Sequence, residues 1–280
     1  MIKRTIIERM ILALMVFNSW SAIGGSNPWA DISKPTQGSA ESIGTYTAGC
    51  VKGASKLPEN GEGYQVMRLS RNRVFGHPVL INFIEQLGRQ TAADNLGSLL
   101  VGDLGQPRGG PTLSGHRSHQ TGLDVDIWFL LSPTAAQRLL SYNEREDWGA
   151  PSVVDTATDA INFKQWTPKQ AHILAIAAQM PEVERIFVNA SIKRELCKKF
   201  KSSSWLGKIR PWYKHDDHFH VRLKCPAGSL DCRSQEPVPS GDGCDASLDW
   251  WFSAEAKAPA KPGKIAPPPL PERCTAVLTQ

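Results

Sequence analysis

The stretch "SHQTGLDVDIWF", Ser118 to Phe129, alternates Leu123, Val125 and Ile127 with Asp124, Asp126 and Trp128. Successive strand side chains point to opposite faces, so the pattern predicts a strand with one apolar and one polar face. Both aspartates fall on the polar face, and His119 sits on the segment leading into it. A second stretch, "HFHVRLKC" from His218 to Cys225, sets Phe219, Val221 and Leu223 against His218, His220 and Arg222. If the two strands lie side by side, His119, Asp126 and one histidine of the H-x-H pair converge.

Two neutral imidazoles and one carboxylate, with a fourth position left open, form the donor set of a catalytic zinc. Structural zinc sites are usually closed by four Cys or His ligands instead. A lone histidine in an apolar pattern is more often a packed residue, but two clusters on separate polar-faced strands favour a metal. Asp124 shares the face of Asp126 and is either an orienting partner for a ligand imidazole or a solvated strand residue. Other catalytic signatures are missing: the chain has no G-x-S-x-G elbow, no S-x-x-K and no H-E-x-x-H. Nor is there a phosphate-cradling glycine loop, so "GQPRGGPTLSG", Gly105 to Gly115, is an approach loop to the first strand.

Outward from these strands, "HPVLINFIEQLGRQ" has helical spacing, with His77-Pro78 at its start and His77 as a cap or packing residue. "TPKQAHILAIAAQM" predicts a helix with Thr167 as N-cap, Pro168 at the first position and Gln170 completing a capping box. His172 lies in its first turn and is assigned no function. "RIFVN" (Arg185 to Asn189) is a short strand candidate, and "ASIKRELCKKF" a basic helix after it. Residues 25–63 suggest an irregular arm and 141–162 an irregular insertion. After Cys225 periodicity fades, and about 257–273 form a Pro-rich tail of polyproline character.

The first 24 residues resemble an export signal: Lys3, Arg4 and Arg9, then an apolar run from Met10 to Phe17, then small residues near Gly24. That run is too short to span a bilayer. Its removal lowers the formal charge from +5 to +3, too mild an excess to point to nucleic acid. The rest, residues 25–280, is expected to be one domain. In an exported chain Cys50, Cys197, Cys225, Cys232, Cys244 and Cys274 are expected in disulfides, and spacing alone favours only the short Cys225–Cys232 loop.

"GHRSHQTGLDVDIWF", "RPWYKHDDHFHVRLKCP" and "PSGDGCD" together resemble the penicillin-insensitive murein endopeptidases, periplasmic members of the wider LAS group of metallopeptidases. The similarity runs from about Cys50 to Cys274. It implies an α+β fold with a mainly antiparallel central sheet, flanking helices and disulfide-stapled arms. It implies zinc held by His119, Asp126 and His220, with His218 as general base and His215 stabilising charge on the reacting carbonyl. His116 matches a histidine that in some relatives helps bind a second zinc where subunits meet; no histidine between His119 and His172 supplies a partner, which leaves that site and a homodimer open. The implied bridges are Cys50–Cys274, Cys197–Cys244 and Cys225–Cys232.

The implied substrate is peptidoglycan, cleaved at D-alanyl to meso-diaminopimelyl cross-links without a serine that a β-lactam could acylate. Trp212 and Tyr213 are candidates to line a peptide groove or to pack. Arg117 and Arg222 are candidate partners for substrate carboxylates, and Asp216 and Asp217 are expected as solvated turn residues. Two other readings share the metal set: a zinc carboxypeptidase or dipeptidase trimming D-Ala-D-Ala, and a cell-wall binding protein that keeps zinc without hydrolysis.

Overall fold

The computed structural model describes residues 27–113, 117–258 and 268–280. The export-signal expectation for residues 1–24 lies outside them, as does most of the Pro-rich tail. The seven strands of the central sheet are β1 (Asn60–Gly61), β2 (Tyr64–Val66), β3 (Leu99–Val101), β4 (Asp124–Trp128), β5 (Val183–Val188), β6 (Ile209–Pro211) and β7 (His218–Leu223), in spatial order β6-β5-β7-β4-β3-β2-β1.

The two polar-faced strands, β4 and β7, are antiparallel neighbours at the centre, and their register sets His220 opposite Asp126, Arg222 opposite Asp124 and His218 opposite Trp128. The sheet is mixed rather than mainly antiparallel, because β2 pairs with β3 and β5 with β6 in parallel. Helices explain both exceptions. Helix α1 (Pro78–Ala93) lies in the chain between β2 and β3, and α3 (Ala190–Phe200) between β5 and β6. Each connects strands that must start again from the same end, as a crossover requires.

Helix α2 (Pro168–Gln179) carries the full capping box of Thr167 and Gln170, and His77 caps α1 by accepting from the Val79 amide. Both helices contribute to one apolar core with the odd-numbered side chains of β4 and β7: Leu80, Phe83, Ile84, Leu174 and Ala177 share it with Val125, Ile127, Phe219 and Val221. The even-numbered side chains, Asp124, Asp126, His220 and Arg222, therefore face the other side of the sheet. They are buried there by loops rather than solvated.

The approach loop is described from Gly105 to Leu113. Gly109 and Gly110 have φ of 65° and 74°, and a Cβ on Gly109 would meet the Gln120 carbonyl at 1.9 Å. Glycine is needed there to let the loop lie against the segment that carries His119.

The N-terminal arm is more regular than its composition suggests. Glu41–Thr45 pairs antiparallel with Ala48–Lys52, and helix α4 (Glu272–Thr279) packs on this hairpin. Residues 141–162 likewise contain a capped helix, Tyr142–Asp147, and the pair Val154–Asp155 with Ala160–Ile161. Short paired strands carry too few residues to show a period. Three disulfides close the frame: Cys50–Cys274, Cys197–Cys244 and Cys225–Cys232. No described helix is long and apolar enough to cross a membrane.

Candidate metal centre

His119, Asp126 and His220 are all buried, and one ligand atom from each lies within 4.8 Å of the others. β4 supplies Asp126 and β7 supplies His220; His119 comes from the loop before β4, with a left-handed φ of 67°. That conformation is uncommon for a residue with a side chain and persists where surrounding packing holds it. Asp126 Oδ1 is the focus, 3.0 Å from His220 Nδ1 and 3.5 Å from His119 Nε2.

The donor set fits a cation on its own chemistry. Asp124, fully buried, accepts the Nε2–H of His220 at 2.7 Å, which leaves the lone pair of a neutral ring on Nδ1. That lone pair faces a carboxylate oxygen, and two acceptors in contact call for a proton or a cation between them. Two imidazoles and a carboxylate at such spacing suit a divalent ion of borderline softness.

Titration tendencies reflect the same charge focus. Burial opposes a charge on Asp126, yet His119 and His218 hold its carboxyl well below the usual range. At Asp124 burial is outweighed by Arg222 and then His220, and this carboxyl too is held low. Burial disfavours protonation of His119 and His218; Asp126 outweighs it at both, with Asp217 adding to it at His218, and both rings titrate above the ordinary value.

His218 stands at the rim, half-buried, with Nε2 3.8 Å from Asp126 Oδ1 and Nδ1 bonded to Asp217. His215 lies tilted 4.9 Å from His218 and edge-on 5.9 Å from His220, ring centre to ring centre. Its Nδ1–H donates to the Tyr213 carbonyl at 2.7 Å, turning Nε2 elsewhere. Burial, and then the charges of His218 and His220, push its pKa down to about 4, so the neutral ring prevails at pH 7. Lys214 and His215 both adopt left-handed φ values, 58° and 53°, in the turn that brings this ring to the cluster.

The remaining sequence candidates separate clearly. His116 lies outside the described residues. His172 is exposed, with Asp94 3.4 Å away. Arg117 is exposed. Arg222, a candidate partner for substrate carboxylates, is buried: its Nε donates to Asp124 at 2.7 Å and its guanidinium covers the Tyr46 ring at 3.7 Å. A buried carboxylate needs such a partner, and the strand register supplies it. Asp217, expected as a solvated turn residue, bonds His218. Phe187, beside His220, and Trp250 and Trp251, which continue the aromatic surface of Trp212 and Tyr213, were missed altogether. Phe187 falls within the strand candidate "RIFVN", and the only sequence signal of Trp250 and Trp251 is the aromatic run "WWF" in a segment without periodicity.

The family model for penicillin-insensitive murein endopeptidases matches residues 42–279. The chain belongs to this family. Penicillin-insensitive murein endopeptidases from Klebsiella pneumoniae (strain 342) and Escherichia coli (strain K12) are each 43% identical to it, over 279 and 277 residues, covering 98% of this chain and 98% of theirs. The protein of that name from Shigella flexneri serotype 5b (strain 8401) is also 43% identical over 277 residues.

Proposed function

We propose that this protein is a zinc-dependent endopeptidase that hydrolyses the D-alanyl to meso-diaminopimelyl cross-links of peptidoglycan in the periplasm. The observation that carries this reading is the convergence of His119, Asp126 and His220 beside His215 and His218. Membership of the murein endopeptidase family supports the substrate class, and three disulfides fit an oxidising compartment outside the cytoplasm.

In this reading His119, Asp126 and His220 would hold the ion, and Asp124, accepting from His220 Nε2–H, would keep that ring in the tautomer that presents Nδ1. Zinc, when bound, supplies a Lewis acid for the carbonyl and a water of lowered pKa. His218 would accept a proton at Nε2 from the attacking water. With its Nδ1–H given to Asp217, the lone pair of Nε2 faces the cluster, so the same nitrogen can carry the proton to the departing amine. His215, with its Nδ1–H on the Tyr213 carbonyl, can donate from Nε2 to the developing negative oxygen only as its imidazolium, a form disfavoured by its burial and by His218 and His220 and favoured by the negative charge that develops on substrate. No serine is acylated, which accounts physically for insensitivity to penicillin.

Digestion of purified cross-linked muropeptide dimers by the intact protein tests this. Monomer release that is lost with chelator and restored by zinc is expected. Release of D-alanine from uncross-linked pentapeptide with the dimer left whole would replace the reading by a carboxypeptidase, and zinc binding without any cleavage would replace it by a binding protein.

A further inference from the structure

Beside the metal centre lies an aromatic array that the proposed chemistry does not use. Phe187 packs 5.5 Å from the His220 ring; Trp212 lies 5.7 Å from Phe187, Trp251 6.0 Å from Trp212, and Trp250 5.3 Å from Trp251. Tyr213 closes the array at 4.9 Å from Trp251. The outer rings are open to solvent: Trp212 and Tyr213 are each 50% exposed and Trp250 42%. A contiguous patch of large exposed aromatics is a common mark of a binding surface.

The rings are held in place. Trp250 Nε1–H donates to Glu255 at 3.2 Å, and the Arg194 guanidinium covers the next ring, Phe252, at 3.8 Å. The Cys197–Cys244 bridge ties the start of this segment to α3. Rings ordered before binding lose little conformational freedom when a partner arrives.

We infer that Trp212, Tyr213, Trp250 and Trp251 form a saccharide subsite that grips the glycan strand from which the cleaved peptide stem hangs. This inference rests on the peptidoglycan reading above and deepens it. A pyranose presents a flat face of C–H bonds with its hydroxyls at the rim, and an indole or phenol face matches that shape while leaving the hydroxyls wet. The peptide stem is a poorer fit. It is rich in carboxylates, whereas Asp249 and Glu255 flank Trp250 in the sequence and by hydrogen bond. Length agrees as well: a stem of about four residues between sugar and scissile bond spans roughly 13–14 Å when extended. Ring steps of 5.5, 5.7 and 6.0 Å from His220 through Phe187 and Trp212 to Trp251 set an upper limit of the same order on the span from the cluster to the outer rings.

The test compares zinc-loaded protein on two substrates: the cross-linked dimer with its disaccharides, and the same dimer after an amidase has removed the sugars. The wild type should show a KM roughly 3- to 10-fold lower for the sugar-bearing dimer, a range typical of one or two aromatic contacts. Trp250→Ala should erode that preference by raising the KM for the sugar-bearing dimer more than for the stripped one, and Trp250→Tyr should restore part of it. Equal KM values for the two substrates in the wild type would overturn the subsite, as would equal losses on both in the variant. Peptide-free glycan strands, added to chelated wild-type protein while the indole N–H resonances are followed, test it without catalysis. Shifts confined to Trp212, Trp250 and Trp251 support the subsite even if neither dimer is cut, and unshifted resonances overturn it even if both are.

Discussion

Asp124 shows how much of this centre depends on a single buried carboxyl. It has no exposed surface and accepts from both His220 and Arg222 at 2.7 Å. Asp124→Asn keeps its shape and removes its charge, so the metal dissociation constant should rise about 10- to 100-fold in competition with a chromophoric chelator. At the rim, His218→Ala should lower kcat on muropeptide dimers by about 10²- to 10⁴-fold with zinc still bound in stoichiometric amount. Unchanged turnover would remove His218 from the base role. The two-residue period of a strand showed that Asp124 and Asp126 share a side, as do His218, His220 and Arg222. It did not show which aspartate each of them meets. Register decides that, and register places Arg222 on Asp124 rather than on substrate. Asp217 was equally hidden, because a residue next to its partner in the chain leaves no period to detect.

The helices were the most legible elements, since Thr167, Pro168, Gln170 and His77-Pro78 carry their starting signals in a few adjacent residues. The two parallel strand pairs were not, since pairing direction follows from crossovers that no single segment records. Helix α3 holds a further surprise for a basic sequence. Lys193 is fully buried, its ammonium donating to the carbonyls of Leu206 at 2.7 Å and of Asp242. It thereby pins the loop around Cys244 to the helix. Burial, and then the neighbouring Arg210 charge, push its pKa down to about 8. An unfolded lysine titrates near about 10.4, so between the two values the unfolded chain binds more protons than the native one. This group's contribution to stability should therefore rise as pH goes from about 8 to about 10.4, and stay level below and above. Urea midpoints at about pH 7.5 and 9.5 should show that rise in the wild type and a smaller one in Lys193→Met. A rise of the same size in the variant would assign it to other groups.

At the scale of the whole molecule, the bridges join parts that packing alone holds weakly. Cys50 and Cys274, 224 residues apart, tie the N-terminal hairpin to α4 beside a small separate core of Trp29, Ile43 and Val277. Cysteine spacing alone pointed only to the short Cys225–Cys232 loop, because distant partners leave no local trace. By loop entropy the long bridge should be worth about 5 kcal/mol against about 2.5 kcal/mol for the short one. Replacing Cys50 and Cys274 by serine should thus lower the melting temperature more than replacing Cys225 and Cys232, as calorimetry under non-reducing conditions would show. The main core lies on the face of β4 and β7 opposite the cluster of His119, Asp126 and His220.

The most direct test is anomalous diffraction from crystals of the zinc-loaded protein, collected on both sides of the zinc absorption edge. One ion per chain within bonding distance of His119, Asp126 and His220, with His218 beside it and unbound, is the predicted result. An ion held by other residues, or full muropeptide cleavage by protein whose crystals show no anomalous peak at these three, would contradict it.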